Sequence, residues 1–318
     1  MLKLIQSTIN FLLKPLGLSL QKSSIKWERD ALLALYKSRA QWTPKISKYP
    51  SECIVFSKDR ALQLHALLTS YLEKASSPVP LHVLYHTTNA SHQKSYEELI
   101  ELFPTQQVTF TKQCREDSFK EDLIQLLTLL QSEKFFFLVD DLVFIEDLDI
   151  LDFSKFDTDK FVPSLRMGLN LTKTFHLKQP LPELLSSPEE EGKIFWKWNE
   201  GMYDWGYPLS VDGHLFSTRE ILEIIKMVSF HAPNTLEDSL QQFSEIFLSR
   251  VGVSYRKSIV VNIPCNKVQL ENENIFGNIH QDFLLEQWNK GFQIDYKQLY
   301  GFDNISVHQE IAFDLIKR

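Results

Sequence analysis

Several features are scarce or missing in this 318-residue chain, and each absence removes a class of function. Its three cysteines, Cys53, Cys114 and Cys265, are odd in number and widely spaced. That excludes a disulfide framework or a CxxC metal site and fits a reducing compartment, so the Asn-x-Ser/Thr triplets at Asn89, Asn170 and Asn304 carry no glycosylation argument. No GxGxxG or GxxxxGK[ST] occurs, which leaves a dinucleotide fold or a P-loop without support. Basic residues are outnumbered, 34 against 41, for a net charge of −7. Nucleic acid is therefore not an expected partner. A long apolar run is also missing. The N-terminal stripe Leu2, Ile5, Ile9, Leu12, with Lys3 and Lys14 beside it, breaks at Lys14-Pro15, well short of the roughly 20 residues that span a bilayer, and no small-residue cleavage site follows. Residues 1–20 suit either a peripheral contact with a membrane surface or a helix docked on the domain.

What is present is an ordinary apolar content of 43%, enough for a full core. The most informative run is Phe135-Phe136-Phe137-Leu138-Val139-Asp140-Asp141. A continuous apolar stretch reads as a strand buried on both faces, and carboxylates at its end sit where open α/β sheets bind ligands. Upstream, strands at Cys53–Phe56, Leu81–Tyr85 and Val108–Thr111 alternate with helical stripes. The stripes are Leu64, Leu67, Leu68, Tyr71 and Leu72, then Tyr96, Leu99, Ile100 and Phe103, then Leu123, Leu126, Leu127 and Leu130. The resulting βαβαβαβ order calls for a mostly parallel sheet flanked by helices. Beyond Asp141 the rhythm fades. Trp196, Trp198, Tyr203, Trp205 and Tyr207 crowd together and can either floor a pocket or pack a core. Pro180 to Glu191 reads as a solvated loop, helical periodicity returns at Ile221–Val228 and at Leu236, Leu240, Phe243 and Phe247, and Ile259–Ile263 reads as a late strand. The expected division is an N-terminal helical segment, 1–50, followed by one domain, 51–318, with a nucleotide-binding half at 51–145 and an acceptor-binding half at 146–318.

Chemistry concentrates at few places. The loop Ser57-Lys58-Asp59-Arg60 brings two cations, a hydroxyl and a carboxylate to the sheet edge that also carries Asp140 and Asp141, a set suited to a nucleoside diphosphate. Ser57 or Asp59 can equally cap the next helix. Hard oxygens beside a diphosphate favour Mg²⁺ or Mn²⁺. Asp212, in Ser210-Val211-Asp212-Gly213-His214, sits in a turn signal within reach of donor or acceptor.

Phe56-Ser57-Lys58-Asp59-Arg60, Val139-Asp140-Asp141, Ser164-Leu165-Arg166-Met167-Gly168 and Leu236-Glu237-Asp238 together resemble a nucleotide-sugar glycosyltransferase of the GT-A type, close to family 2. The likeness runs from about Cys53 to Phe283. It implies an α/β nucleotide-diphospho-sugar transferase fold and a metal-dependent, inverting transfer of a sugar from a nucleoside-diphosphate sugar to a glycan or lipid-linked acceptor. The enzyme would be cytoplasmic, peripheral on the inner face of the membrane if residues 1–20 anchor it. The family's acidic motif usually reads Asp-x-Asp, with the first acid on the ribose and the last on the metal. Val139 stands at the first position here, so by resemblance Asp141 inherits the metal, supported by Asp140, with His280 completing its shell. Ser57, Lys58, Asp59, Arg60, Arg166 and Asp140 would hold the donor. Asp238 is the first choice for the general base and Glu237 the second, although Thr235-x-x-Asp238 also looks like a capping helix start. A sugar-phosphate nucleotidyltransferase is disfavoured because it carries a glycine-rich loop where this chain has Ser57-Lys58-Asp59-Arg60-Ala61. A non-catalytic binding or scaffold protein is the rival from another class.

Overall fold

The computed structural model describes residues 23–42, 46–174, 177–186, 190–264 and 281–318, so His280, Cys265 and the 1–20 stripe lie outside the described residues. Two compact units are present, residues 1–43 and 44–318. In the first, helix α1 (Ser23–Ala40) ends in a turn where Trp42 Nε1 donates to Ser38 Oγ at 3.0 Å.

The second unit begins with the expected alternation. Strand β1 (Glu52–Lys58), helix α2 (Ala61–Lys74), β2 (Leu81–His86), α3 (Ala90–Glu101), β3 (Val108–Lys112), α4 (Phe119–Leu129) and β4 (Lys134–Val139) follow in turn. The strands lie in the order β4-β1-β2-β3, all parallel, in register with Val55 opposite both Val83 and Leu138. This is a mixed α/β fold with a mostly parallel central sheet flanked by helices. The apolar run of β4 is continuous because both faces are covered. Phe137 stacks on Phe56 at 5.2 Å and meets Phe135 edge-on, while Phe136 points the other way to Phe153. Asn89 caps α3 through Ser91 N and His92 N. α2 lacks a side-chain cap, since Arg60 occupies its N-cap position, so neither Ser57 nor Asp59 is spent on it.

After β4 come β5 (Leu142–Phe144), β6 (Phe161–Ser164), β7 (Lys193–Lys197), β8 (Leu215–Ser217), α5 (Thr218–Met227), α6 (Pro233–Leu240), β9 (Val251–Tyr255), β10 (Val260–Asn262) and α7 (Gln281–Asn289). β8 closes the main sheet as an antiparallel edge on β4. β7, β9 and β6 form a second sheet whose edge is the two-residue strand Leu184–Leu185, inside the stretch expected to be loop. Gly252 is required there, because any Cβ would collide with the Trp196 ring. β10 pairs with β5, which places Asn262 beside Asp141. Helix α6 starts earlier than the capping pattern suggests. Pro233 sits at its first position and Thr235 Oγ1 accepts from Ala232 N, so Asp238 lies beyond the first turn.

One buried ion pair secures this second half. Arg250, just before β9, donates from both terminal nitrogens to Glu220 of α5 at 2.9 and 2.7 Å, with side chains 3% and 0% exposed. Replacing Glu220 by Ala strands a buried guanidinium, and urea unfolding should show a loss of about 3–5 kcal/mol. A loss under about 1 kcal/mol would mean that water reaches Arg250 and the pair is not structural.

Candidate functional site

The parallel order reverses between β1 and β4, and the crevice beyond their carboxyl ends is where such sheets bind ligands. Each strand ends in polar residues there. Asp140 N donates to Phe56 O at 3.1 Å, continuing the ladder one step and fixing both loops against each other. Asp59 then takes a positive φ of 55°, a conformation few side chains adopt. Its carboxylate is anchored by Thr88, whose N–H and hydroxyl donate at 2.9 and 2.8 Å. Asp59 thus bends the loop and ties it to the one after β2.

That bend delivers Arg60. Its Nη1 lies 2.9 Å from Asp140 Oδ1 and 3.0 Å from Asp141 Oδ2, one cation spanning both acids. The remaining oxygens are also engaged. Asp140 Oδ2 accepts from Ser57 Oγ at 2.8 Å and from Lys58 N at 3.1 Å. Tyr96 Oη bonds Ser57 Oγ and accepts from Arg60 N, which orients the hydroxyl toward Asp140. Asn262 Nδ2 donates to Asp141 Oδ1 at 2.7 Å. Burial pushes Asp141 up to about 7, a rise that Arg60 opposes and that Asp140 and Asp212 reinforce.

A second cluster forms around Arg166, which is 4% exposed. Its Nη2 donates to Asp204 Oδ1 at 2.8 Å, and its Nη1 to Ser210 Oγ at 3.0 Å and Asp212 Oδ2 at 3.5 Å. The guanidinium also stands 5.9 Å from the Tyr207 ring. Asp212 is placed by a turn in which Gly213 has φ +79° and donates its N–H to Phe137 O on β4. Asp212 therefore influences both clusters. Burial pushes Glu237 up to about 8, with Asp212 adding to the rise and Arg166 opposing it. His308 Nε2 reaches Asp212 Oδ2 at 3.4 Å, because its strand segment bridges to Asn262. Burial lowers its basicity, against the pull of Asp212. His214, fully buried beside Arg166, falls to about 3 and stays neutral.

The sequence-derived candidates are thus distributed as follows. Ser57, Arg60, Asp140 and Asp141 form one bonded group, Lys58 joins through its backbone, and Asp59 serves the loop. Arg166 is enclosed by protein acids and a serine. Glu237 points into the Arg166 cluster, whereas Asp238 is exposed. Trp196, Trp198 and Trp205 are all buried, so they are core rather than pocket floor. Reasoning from sequence missed Asn262, Asp204 and His308. The available signal for His308 was faint, a single histidine in an irregular C-terminal stretch.

No family model matches this sequence, and no curated protein matches it either. Among solved structures it is similar to TarS 1–349 from S. aureus in complex with UDP-GlcNAc, at 12% identity over 71% of this chain and 61% of that one, TM-score 0.46. It is also similar to GalNAc-T7 with UDP, GalNAc and Mn²⁺, at 10% identity over 76% of this chain and 49% of that one, TM-score 0.45. A third is 4-diphosphocytidyl-2C-methyl-D-erythritol synthase from Anaerococcus prevotii, at 9% identity over 67% and 89%, TM-score 0.41. The chain spans 39%, 45% and 61% of the first three structures matched.

Two raised carboxyls give a pH signature. Asp141 and Glu237 rise from 3.8 to about 7 and from 4.5 to about 8, so the folded protein holds their protons more tightly than the unfolded chain. Their contribution to stability is complete below the unfolded values and is lost as pH rises through the folded ones. Melting temperature should fall between about pH 4 and about pH 8, and Glu237→Gln should fall less steeply over the same range. Parallel curves for the two proteins would show that Glu237 is ionised throughout.

Proposed function

We propose that this protein is a glycosyltransferase that uses a nucleoside-diphosphate sugar as donor and a glycan or lipid-linked acceptor, with a single inverting displacement. The observation that carries the reading is Arg60 spanning Asp140 and Asp141 at the β1/β4 switch point, with a second buried acid cluster alongside. A cation between paired acids at that crevice suits a diphosphate, and a carboxyl whose proton affinity is raised toward neutral suits an acceptor hydroxyl, whose proton its ionised form can take.

The residues fit a divalent metal by their chemistry. Asn262 Oδ1 is buried without a hydrogen-bond partner, and burial raises the Asp141 carboxyl, with Asp140 and Asp212 adding to the rise and Arg60 opposing it. Among the described residues no three His, Cys, Asp or Glu side chains are already gathered as a metal site. Asp141 would hold Mg²⁺ or Mn²⁺ with Asp140 behind it, since both are hard oxygen donors of the kind these cations prefer. His308, which stands beside Asp212 at 3.4 Å, is a further histidine at this site, while His280 lies outside the described residues. The metal would neutralise charge on the leaving diphosphate. Ser57 and Tyr96 orient Asp140, and Arg60, once relieved of one carboxylate, can turn to a phosphate oxygen. The structures with UDP-GlcNAc and with UDP, GalNAc and Mn²⁺ named above have ligands of the same class.

Glu237, rather than the exposed Asp238, is the better placed base. Its raised proton affinity is matched to accepting a proton near neutral pH, and Arg166 together with Ser210 holds it in place. A nucleotidyltransferase remains disfavoured by the absence of a glycine-rich loop after β1. The test is UDP or GDP release from a panel of UDP- and GDP-sugars with Mn²⁺. Glu237→Gln should lower release by a factor on the order of 10² to 10⁴ while nucleotide binding persists, and Asp238→Asn should change it less than about threefold. A large loss in Asp238→Asn alone would return the base to Asp238, and release from no donor would favour a scaffold.

A further inference from the structure

Each oxygen of the paired acids Asp140 and Asp141 already has a donor, and those donors differ in how readily they can leave. Asp140 Oδ2 accepts from the Lys58 backbone N–H at 3.1 Å and from Ser57 Oγ at 2.8 Å, and the fully buried Tyr96 bonds that same hydroxyl. Asp141 Oδ1 accepts at 2.7 Å from Asn262 Nδ2, which the pairing of β10 with β5 holds in place. Backbone and buried neighbours fix all three donors. The remaining oxygens, Asp140 Oδ1 and Asp141 Oδ2, converge on one atom, Arg60 Nη1, at 2.9 and 3.0 Å.

A divalent cation shared by the two acids would take that point of convergence, where hard carboxylate oxygens meet. The guanidinium fills it. Two cations cannot hold it together, because like charges a few ångströms apart in a buried crevice repel strongly. Asn262 gives an independent sign that a cation belongs here. Its Oδ1 is buried next to the carboxylate that its amide nitrogen serves, and that oxygen has no hydrogen-bond partner among the described residues.

Arg60 is anchored at one end only. Its N–H donates to Tyr96 Oη at 3.2 Å and its carbonyl accepts from Leu64 N at 2.9 Å, which fixes the backbone at the start of α2. Beyond it, the long side chain is 11% exposed and runs from the β1 loop to the acids at the end of β4. A guanidinium stays charged at ordinary pH, so this contact does not open by losing a proton. It opens when another anion takes the guanidinium, and phosphate oxygens match its paired N–H groups.

We propose that Arg60 is a resident lock on the divalent site: its guanidinium holds the place between Asp140 and Asp141 in the free protein and yields it when a diphosphate offers another anion. A divalent ion is then taken together with the nucleotide and not before it. This deepens the functional reading above and rests on it for the diphosphate. The competition between guanidinium and divalent ion stands on the contacts alone and is measured without any sugar donor.

The probe is Mn²⁺ alone, titrated into the intact protein and followed by the electron paramagnetic resonance signal of the unbound ion. Arg60→Met and Arg60→Gln should each bind Mn²⁺ at least about tenfold more tightly than wild type, and adding Asp141→Asn to Arg60→Gln should remove the gain. Glutamine keeps one donor for the acids, so it reports on the lock even if methionine, which leaves them unpaired, lowers the melting temperature too far. UDP or GDP should tighten Mn²⁺ binding more in wild type than in Arg60→Gln, where there is no lock left to open. Equal or weaker Mn²⁺ affinity in a folded variant overturns the lock. Nucleotide release from a donor sugar with no such gain would sink this inference alone. A gain in Mn²⁺ affinity in a protein that releases nucleotide from no donor would leave the lock standing and remove the transferase reading.

Discussion

Too few cations for too many buried acids is the constraint that organises this molecule. Arg60 must serve Asp140 and Asp141 together, and Arg166 must serve Asp204 and Asp212 with Glu237 close by. Burial raises the proton affinity of a carboxyl in such a crevice, and neighbouring acids that the cations do not match add to the rise. The carboxyls so raised are Asp141 and Glu237, one in each cluster. The imbalance costs stability in the free protein and leaves a site that favours an incoming cation. Buried ion pairs elsewhere are closed by contrast: Glu220 and Arg250 match each other with two hydrogen bonds and leave no such demand.

The sheet makes this arrangement geometrically obligatory. β1 and β4 are adjacent and parallel, so the loops that follow them emerge side by side, and Asp140 N completes the ladder on Phe56 O. The third contributor, Asp212, is pinned to the same strand through Gly213 and Phe137, while β10 brings Asn262 alongside through its pairing with β5. Four separate stretches of sequence therefore converge on one crevice because a single strand, β4, is bonded or adjacent to nearly all of them.

Legibility followed physics. The strands and helices from Cys53 to Val139 could be read because burial on two faces forces continuous apolar runs and helices show their stripes. Their polar ends followed from the same reading. Past Asp141 the code weakens. Three tryptophans in twelve residues look alike whether buried or exposed, and only packing reveals that Trp196, Trp198 and Trp205 are core while Tyr203 is presented. Thr235 seemed to open a helix that Pro233 opens, which moved Asp238 out of the first turn and turned Glu237 inward. Asp204 and His308 reach the site only through long-range contacts, with Arg166 and with Asp212 and the Asn262 backbone respectively, and no local pattern encodes those.

If the charge imbalance is what the site uses, an added divalent cation and an added diphosphate should depend on each other. Isothermal titration of the whole protein with UDP and with GDP, in Mn²⁺ and then in EDTA, measures that dependence directly. We predict binding of at least one nucleotide in Mn²⁺ and a loss of at least about tenfold in affinity in EDTA, with the same loss in Asp141→Asn even when Mn²⁺ is present. Equal affinity in Mn²⁺ and EDTA, or no binding of either nucleotide, would contradict the account.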